Sequence, residues 1–382
     1  MEAPGAPVAS APGAPLPVPR LSALRPAAHL PALTGLRALL ALWVILHHLT
    51  GPGMMLDAWC RGLPAAAGGL LRGGYLAVAT FFVLSGFVLA RSYGEAVWDR
   101  AGLARYTAAR AARIYPVYLL SLLVVAPFIA AERLPMFGAR PFAGKAGLMA
   151  NYGLLLQGWT GRLPVGWNTP AWSLSCEMFF YLCFPLLAAA LPRMRWRSIA
   201  TVGAATCAAE LLPRAGIPVE WKPLIHLADF VMGIAAAHAY SVLAAGLRFR
   251  GRGYWIYVPA LAAGAALIAW PAVLGGRMEV NTPLRPLNAL LLIGLALGGG
   301  LPARVLSMRA SVFLGHASYA MYILHVPLLW WFARLGPRLP GRLGGTSAGF
   351  AFVALVVASS SLVYRFFEEP ANRWLRRRWR RA

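Results

Sequence analysis

The sequence predicts an all-α polytopic membrane protein of about ten transmembrane helices, and three observations lead there. Hydrophobic residues fill 59% of the 382 positions against 13% charged, with a mean hydropathy of +0.61, outside the range of chains that fold in water. Apolar runs long enough, or nearly so, to cross a hydrocarbon core of about 30 Å recur along the chain. The 36 Lys and Arg outnumber 12 Asp and Glu, yet they stand singly or in short groups between the apolar runs. That is the pattern of membrane topology signals, not of a nucleic-acid stripe, so membrane lipids are expected partners and nucleic acid is not. Four scattered cysteines, Cys60, Cys176, Cys183 and Cys207, have the spacing of neither a disulfide framework nor a metal site.

Residues 1–33 contain eight prolines and no continuous apolar core. They lack the basic start and apolar h-region of a signal peptide and read as a disordered cytoplasmic tail. Spans are then expected near 36–52, 75–91, 114–132, 172–192, 198–212, 223–244, 254–274, 285–301, 312–333 and 347–367. The stretch 147–160 is apolar but short, which suits a re-entrant or interfacial segment; an eleventh span there is the alternative and would invert the topology downstream. The membrane domain is expected over 34–374, with a basic tail at 375–382.

The first span reads LRALLALWVILHHLT. Ionisable groups are costly in lipid, so its Arg37 and histidines are candidate site residues. At about 100° per residue the eleven steps from Arg37 bring His48 to within roughly 20° of the same face, while His47 points roughly 80° away. The plainer roles are a snorkelling Arg37 and a His48 that satisfies a neighbour. In the second span, FFVLSGFVLA, Ser85 and Gly86 interrupt a bulky run; they serve close helix packing, or the Ser85 hydroxyl serves a ligand.

The third span is entered through RYTAARAARIYP, where Arg110 and Arg113 share a helical face. Paired guanidiniums there fork onto phosphate oxygens, of a ligand or of lipid. The fourth carries Glu177 inside WSLSCEMFFYL, with Tyr181 one turn on. A carboxylate in lipid needs a partner, a raised pKa or a water-filled cavity, which marks Glu177 as functional. In the sixth, Asp229 either lines an acceptor entrance or pairs with His226 three residues before it. In the ninth, HASYAMYILHVPLL, Ser318, Tyr322 and His325 share a side, making His325 a candidate polar wall. Glu368 and Glu369 in YRFFEEPANRW read as a helix stop beside Arg365 and Arg373.

Across ten spans, the N-terminal stretch, the even loops and the C-terminal end hold 23 of the 36 Lys and Arg. The positive-inside rule then puts both termini in the cytoplasm. His48 is expected about 18 Å above the cytoplasmic boundary and Glu177 about 22 Å. At similar depth, a base and a carboxylate able to orient it can meet, as acyl transfer requires.

The strings GLRALLALWVILHH, FFVLSGF, RAARIYP, AWSLSCEMFFYLCFP, SYAMYILHVPLL and FFEEP, in this order from Leu33 to Trp374, resemble the acyltransferase 3 family of integral-membrane O-acyltransferases. The resemblance implies a bacterial inner-membrane enzyme with no permanently bound cofactor and acyl-CoA, acetyl-CoA first among them, as donor. Arg110 and Arg113 match the family's RxxR motif and would hold the nucleotide phosphates, with Arg37 on developing negative charge or on CoA. His48 would be the general base, Glu177 its orienting or charge-balancing partner, and Ser85, Tyr181, Asp229 and His325 substrate-binding residues. The expected acceptor is a carbohydrate or lipid-linked sugar hydroxyl, with a small secondary metabolite second. A transporter or flippase of acylated lipid or sugar would use the same intramembrane groups for coupling, but its repeated halves are not seen in the sequence.

Overall fold

The computed structural model of the chain describes residues 30–94, 96–130, 142–160, 167–190, 221–245, 249–269, 284–335 and 345–379. In hydrocarbon no water bonds the backbone, so apolar runs become helices, which satisfy their N–H and C=O groups internally. The order is α1 Pro31–Thr50, α2 Asp57–Arg61, α3 Ala65–Arg72, α4 Ala77–Tyr93, α5 Arg100–Ala130, α6 Phe142–Gly153, α7 Trp172–Ala190 and α8 Lys222–Ile225. There follow α9 Leu227–Ala245, α10 Tyr254–Ala269, α11 Leu284–Leu297, α12 Gly300–Leu306, α13 Arg309–Leu335, α14 Gly345–Val363 and α15 Glu369–Trp379. Short 3-10 turns join α3 to α4 and lead into α7, and a π-helical turn, Tyr364–Glu368, joins α14 to α15.

Among the described residues seven units are long and apolar enough to cross a membrane: α1, α3 with α4, α5, α7, α8 with α9, α13, and α14 with α15. Taken as one span, α11 and α12 make an eighth, bent by 79°. The chain is thus an all-α multi-pass membrane protein, with seven or eight of the expected ten spans found among the described residues. The expected span 198–212 lies outside the described residues. The expected straight span 285–301 is broken because Gly298, Gly299 and Gly300 take φ of 78°, 95° and 76°, a conformation only glycine adopts at little cost. At 12 residues α6 is about 18 Å long, short of a bilayer core.

Two boundaries move. Proline suits the first turn of a helix, and α1 begins at Pro31 inside the stretch assigned to the tail. The C-terminal acids do not stop the helix: Glu369 opens α15, an amphipathic helix that runs on to Trp379 through the start of the stretch assigned to the basic tail.

Small residues let helices approach closely in lipid, where apolar side chains gain nothing by leaving their surroundings. A Cβ on Gly86 of α4 would strike the Phe230 carbonyl of α9, and one on Gly233 of α9 would strike the Val83 carbonyl of α4. Gly315 likewise sets α13 against the Thr34 carbonyl of α1. One core runs through α1, α4, α5, α7, α9, α11 and α13. A smaller one joins Ala41, Ile45 and Leu49 of α1 to Met321 of α13 and to Phe352 and Val356 of α14. Leu119, Leu123, Leu182, Leu186 and Leu362 stay exposed, as suits side chains facing lipid.

Candidate active site

A cavity of about 130 Å³ opens between α1, α4, α5, α7 and α13, and its walls include Arg37, Arg110, Arg113, Ser85, Glu177 and Tyr181. α5 is one continuous helix, so the arginine pair is carried rigidly into the bundle. Two tyrosine hydroxyls tie it to neighbouring helices: Tyr106 of α5 donates to the Tyr181 carbonyl of α7 (3.0 Å) and Tyr319 of α13 to the Ile114 carbonyl of α5 (2.6 Å).

The arginines are held differently. Arg110 donates to the Tyr93 hydroxyl at 3.1 Å and lies 5.3 to 5.9 Å from the ring centres of Tyr93, Tyr106 and Tyr181, an aromatic cage for a cation. Arg113 pairs with Glu368, whose side chain is 1% exposed. Arg37 makes no hydrogen bond or ion pair with any described residue, and its Nε is buried. A guanidinium left this way in a membrane cavity points to an anionic ligand.

Glu177 accepts hydrogen bonds from Tyr181, one turn on, and from Ser85 Oγ at 3.4 Å. It shares the cavity with the arginines, where its charge offsets theirs. Glu177 and His48 are not hydrogen-bonded to one another; each has its own partners. His48 stands in the last turn of α1, two residues before its end at Thr50.

The two histidines of α1 part company there. His47 Nδ1 donates to the Arg72 carbonyl at 2.6 Å. Arg72 in turn clamps α3 over the end of α1, donating to Thr50 O at 3.3 Å and pairing with Asp57 at 3.3 Å. His47 is thus tied to the cap. His48 turns inward instead: its Nδ1 lies 2.9 Å from the Val44 carbonyl and 3.4 Å from His325 Nε2. The rings sit 4.9 Å apart.

His325 does not line the cavity, but it is joined to it. Its Nδ1 donates to the Tyr322 carbonyl at 2.6 Å, and the Tyr322 ring forms part of the cavity wall, its hydroxyl 2.8 Å from Ser173 Oγ. Tyr322 thus touches both places, its side chain in the cavity wall and its carbonyl on His325.

Known proteins bear on what this arrangement is for. The family model described as an acyltransferase domain, acyltransferase 3, matches residues 30–365. The chain belongs to the acyltransferase 3 family. It is 30% identical over 391 aligned positions to acyltransferase MdmB of Streptomyces mycarofaciens, covering 91% of this chain and 93% of that protein. A shorter match, 46% over 55 residues, covers 14% of the chain and 29% of protein 2 in the picA locus of Rhizobium radiobacter. No solved structure gives a significant match. This acyltransferase 3 protein is thus an acyltransferase of groups other than aminoacyl groups, and such an enzyme needs an acyl donor and an acceptor.

In this acyltransferase Asp229 stands apart from the cavity walls. Its fully buried carboxylate takes Arg285 Nε at 2.7 Å and His226 Nδ1 at 2.9 Å, so the reading in which it pairs with His226 describes its position. Sequence reasoning missed Arg285 as its partner because α11 is 56 residues away. It also missed Glu368. Glu369 does pair with Arg365 (3.2 Å) and Arg373 (3.9 Å) as a helix-end acid should, whereas Glu368, one residue earlier, turns inward to Arg113. The available signal was an acid directly after Phe366 and Phe367 in a chain with only 12 acids.

Proposed function

We propose that this protein is a membrane O-acyltransferase that moves an acyl group, acetyl in the first instance, from cytoplasmic acyl-CoA to a hydroxyl of a carbohydrate or lipid-linked sugar. The observation that carries the reading is the arginine cavity, above all Arg37, a buried guanidinium with no hydrogen bond or ion pair among the described residues. Three guanidiniums facing one space suit the phosphates of a nucleotide-bearing donor. In this reading the cavity opens to the cytoplasm, both termini lie there, and the histidine pair faces the other side of the plasma membrane. The donor's arm bridges the rise of about 16 Å between Arg37 and His48 on α1. Ser85, Tyr181 and Tyr322 supply its polar walls.

His48 then takes the proton of the acceptor hydroxyl as that oxygen attacks the thioester carbonyl carbon. The carbon–sulfur bond breaks, and the departing sulfur receives the proton from His48. Glu177 is assigned to balancing the arginines, which keeps them from repelling one another before the donor binds. His47, tied to the Arg72 carbonyl, has no part in the reaction.

The test is acetyl-CoA consumption by the purified protein and by His48→Ala and His47→Ala, with a membrane sugar extract and a small hydroxylated metabolite as alternative acceptors. Wild type and His47→Ala are expected to consume thioester and label the acceptor, and His48→Ala to lose at least about 100-fold, the low end of what a positioned base supplies. Equal activity in all three removes the base assignment. Absence of both CoA binding and transfer favours a transporter.

A further inference from the structure

We propose that His325 is a positioning residue for His48: the two imidazoles form a directional pair that leaves the lone pair of His48 on Nε2, aimed at the acceptor. The inference rests on the reading of His48 as general base.

The proton positions follow by elimination. A carbonyl oxygen only accepts, so His325 Nδ1, 2.6 Å from the Tyr322 carbonyl, carries a proton. In the neutral ring the lone pair is then on His325 Nε2. His48 Nδ1 likewise faces a carbonyl, that of Val44 at 2.9 Å, so it too is protonated, and the same N–H faces His325 Nε2 at 3.4 Å. One proton is thus shared between a carbonyl and an imidazole lone pair. The nitrogen left without a proton is His48 Nε2.

His325 is 1% exposed, so water does not compete for its lone pair. The spacing of 3.4 Å is that of a resting contact, and catalytic hydrogen bonds of this kind tighten when charge develops. When His48 takes the acceptor proton, its Nδ1–H becomes part of an imidazolium, and a hydrogen bond from a charged donor is roughly twice as strong as a neutral one. A carboxylate performs this service in serine hydrolases. Here Glu177, the carboxylate that might have done so, is bonded to Tyr181 and Ser85 in the arginine cavity, and a neutral imidazole stands behind the base instead. That spares the site a second fixed charge in lipid.

The proton balance is closed. The hydroxyl proton moves to His48 Nε2 as the oxygen–carbon bond forms, and it leaves from Nε2 to sulfur as the carbon–sulfur bond breaks. His325 neither gains nor loses a proton; it accepts throughout. The second histidine of the HH pair cannot substitute, since His47 Nδ1 is committed to the Arg72 carbonyl and its ring faces Tyr75 at 5.4 Å.

Two measurements test the pair. In steady-state transfer, His325→Leu should lower kcat about 100-fold with both KM values little changed, and His325→Gln, whose amide oxygen also accepts a hydrogen bond, should recover about tenfold of that loss. Wild-type turnover in His325→Leu, or equal loss in Leu and Gln variants of the same thermal stability, overturns the proposal, the second outcome assigning His325 to packing. Nitrogen-15 NMR of ring-labelled protein, with the His48 signals identified by their loss in His48→Gln, should find His48 protonated on Nδ1. The opposite tautomer overturns the pair whatever the activity. Loss of turnover in His48→Ala with wild-type turnover in His325→Leu rejects this inference alone, whereas wild-type turnover in His48→Ala rejects the general-base reading beneath it.

Discussion

Arg37 and Arg113 line the same cavity, but removing them should have opposite consequences for the fold. Arg37 has no hydrogen bond or ion pair with a described residue, so Arg37→Ala breaks none. Its thermal stability in detergent should match wild type while affinity for acetyl-CoA falls about tenfold to a hundredfold, the worth of a hydrogen bond to a charged group. Arg113→Ala strands the buried Glu368 carboxylate, a loss of about 3–5 kcal/mol for a broken buried pair. Adding Glu368→Ala should restore the melting temperature without restoring donor binding; if the double variant melts as low as the single one, the pair is not what stabilises this end of the bundle. Asp229→Ala should also destabilise by about 3–5 kcal/mol, by leaving Arg285 without its carboxylate. Normal stability with lost acceptor turnover would return Asp229 to the acceptor site.

Helix contacts are set by glycines. The α4–α9 seam brings Gly86 and Gly233 against opposing carbonyls, and because Ser85 precedes Gly86, that seam also fixes the hydroxyl that reaches Glu177. Gly233→Val should therefore abolish a monodisperse size-exclusion peak. Gly264→Val, on α10 where an added Cβ meets nothing within 4 Å, should elute as wild type does. Equal behaviour of the two would mean that the close approach is not required for assembly. The α1–α13 seam has a second consequence: by setting α13 alongside α1, it brings His325 to His48, 277 residues away in sequence.

Across the whole molecule, the arginine cavity and the histidine pair stand apart, about 16 Å between Arg37 and His48 by helix rise, and Tyr322 touches both. That separation is what an enzyme needs if its donor and its acceptor approach from opposite sides. In a variant with all four cysteines replaced, a new cysteine at Arg61, whose side chain is 67% exposed at the His48 end, should react with a membrane-impermeant thiol reagent in intact cells. A cysteine at Arg373 on α15, 58% exposed, should react only after permeabilisation. The reverse pattern would invert the topology and put the arginine cavity outside, away from cytoplasmic acyl-CoA.

The amino-acid order alone made the fold class legible, because long apolar runs in lipid have no alternative to helices. It also determined the family, and it singled out Arg37, Arg110, Arg113, Glu177 and Tyr181, because each is expensive in hydrocarbon and stands out against its neighbours. It went astray where an answer depended on a boundary or on a distant partner. α1 starts five residues earlier than expected, and nothing local announced it, since helix ends carry weak signals in lipid. Only the tertiary structure brought His325 to His48, turned Glu368 inward to Arg113 and gave Asp229 to Arg285. Those pairings rest on which faces of separate helices pack together, a property that glycine contacts between helices set and that the periodicity of any one helix does not contain.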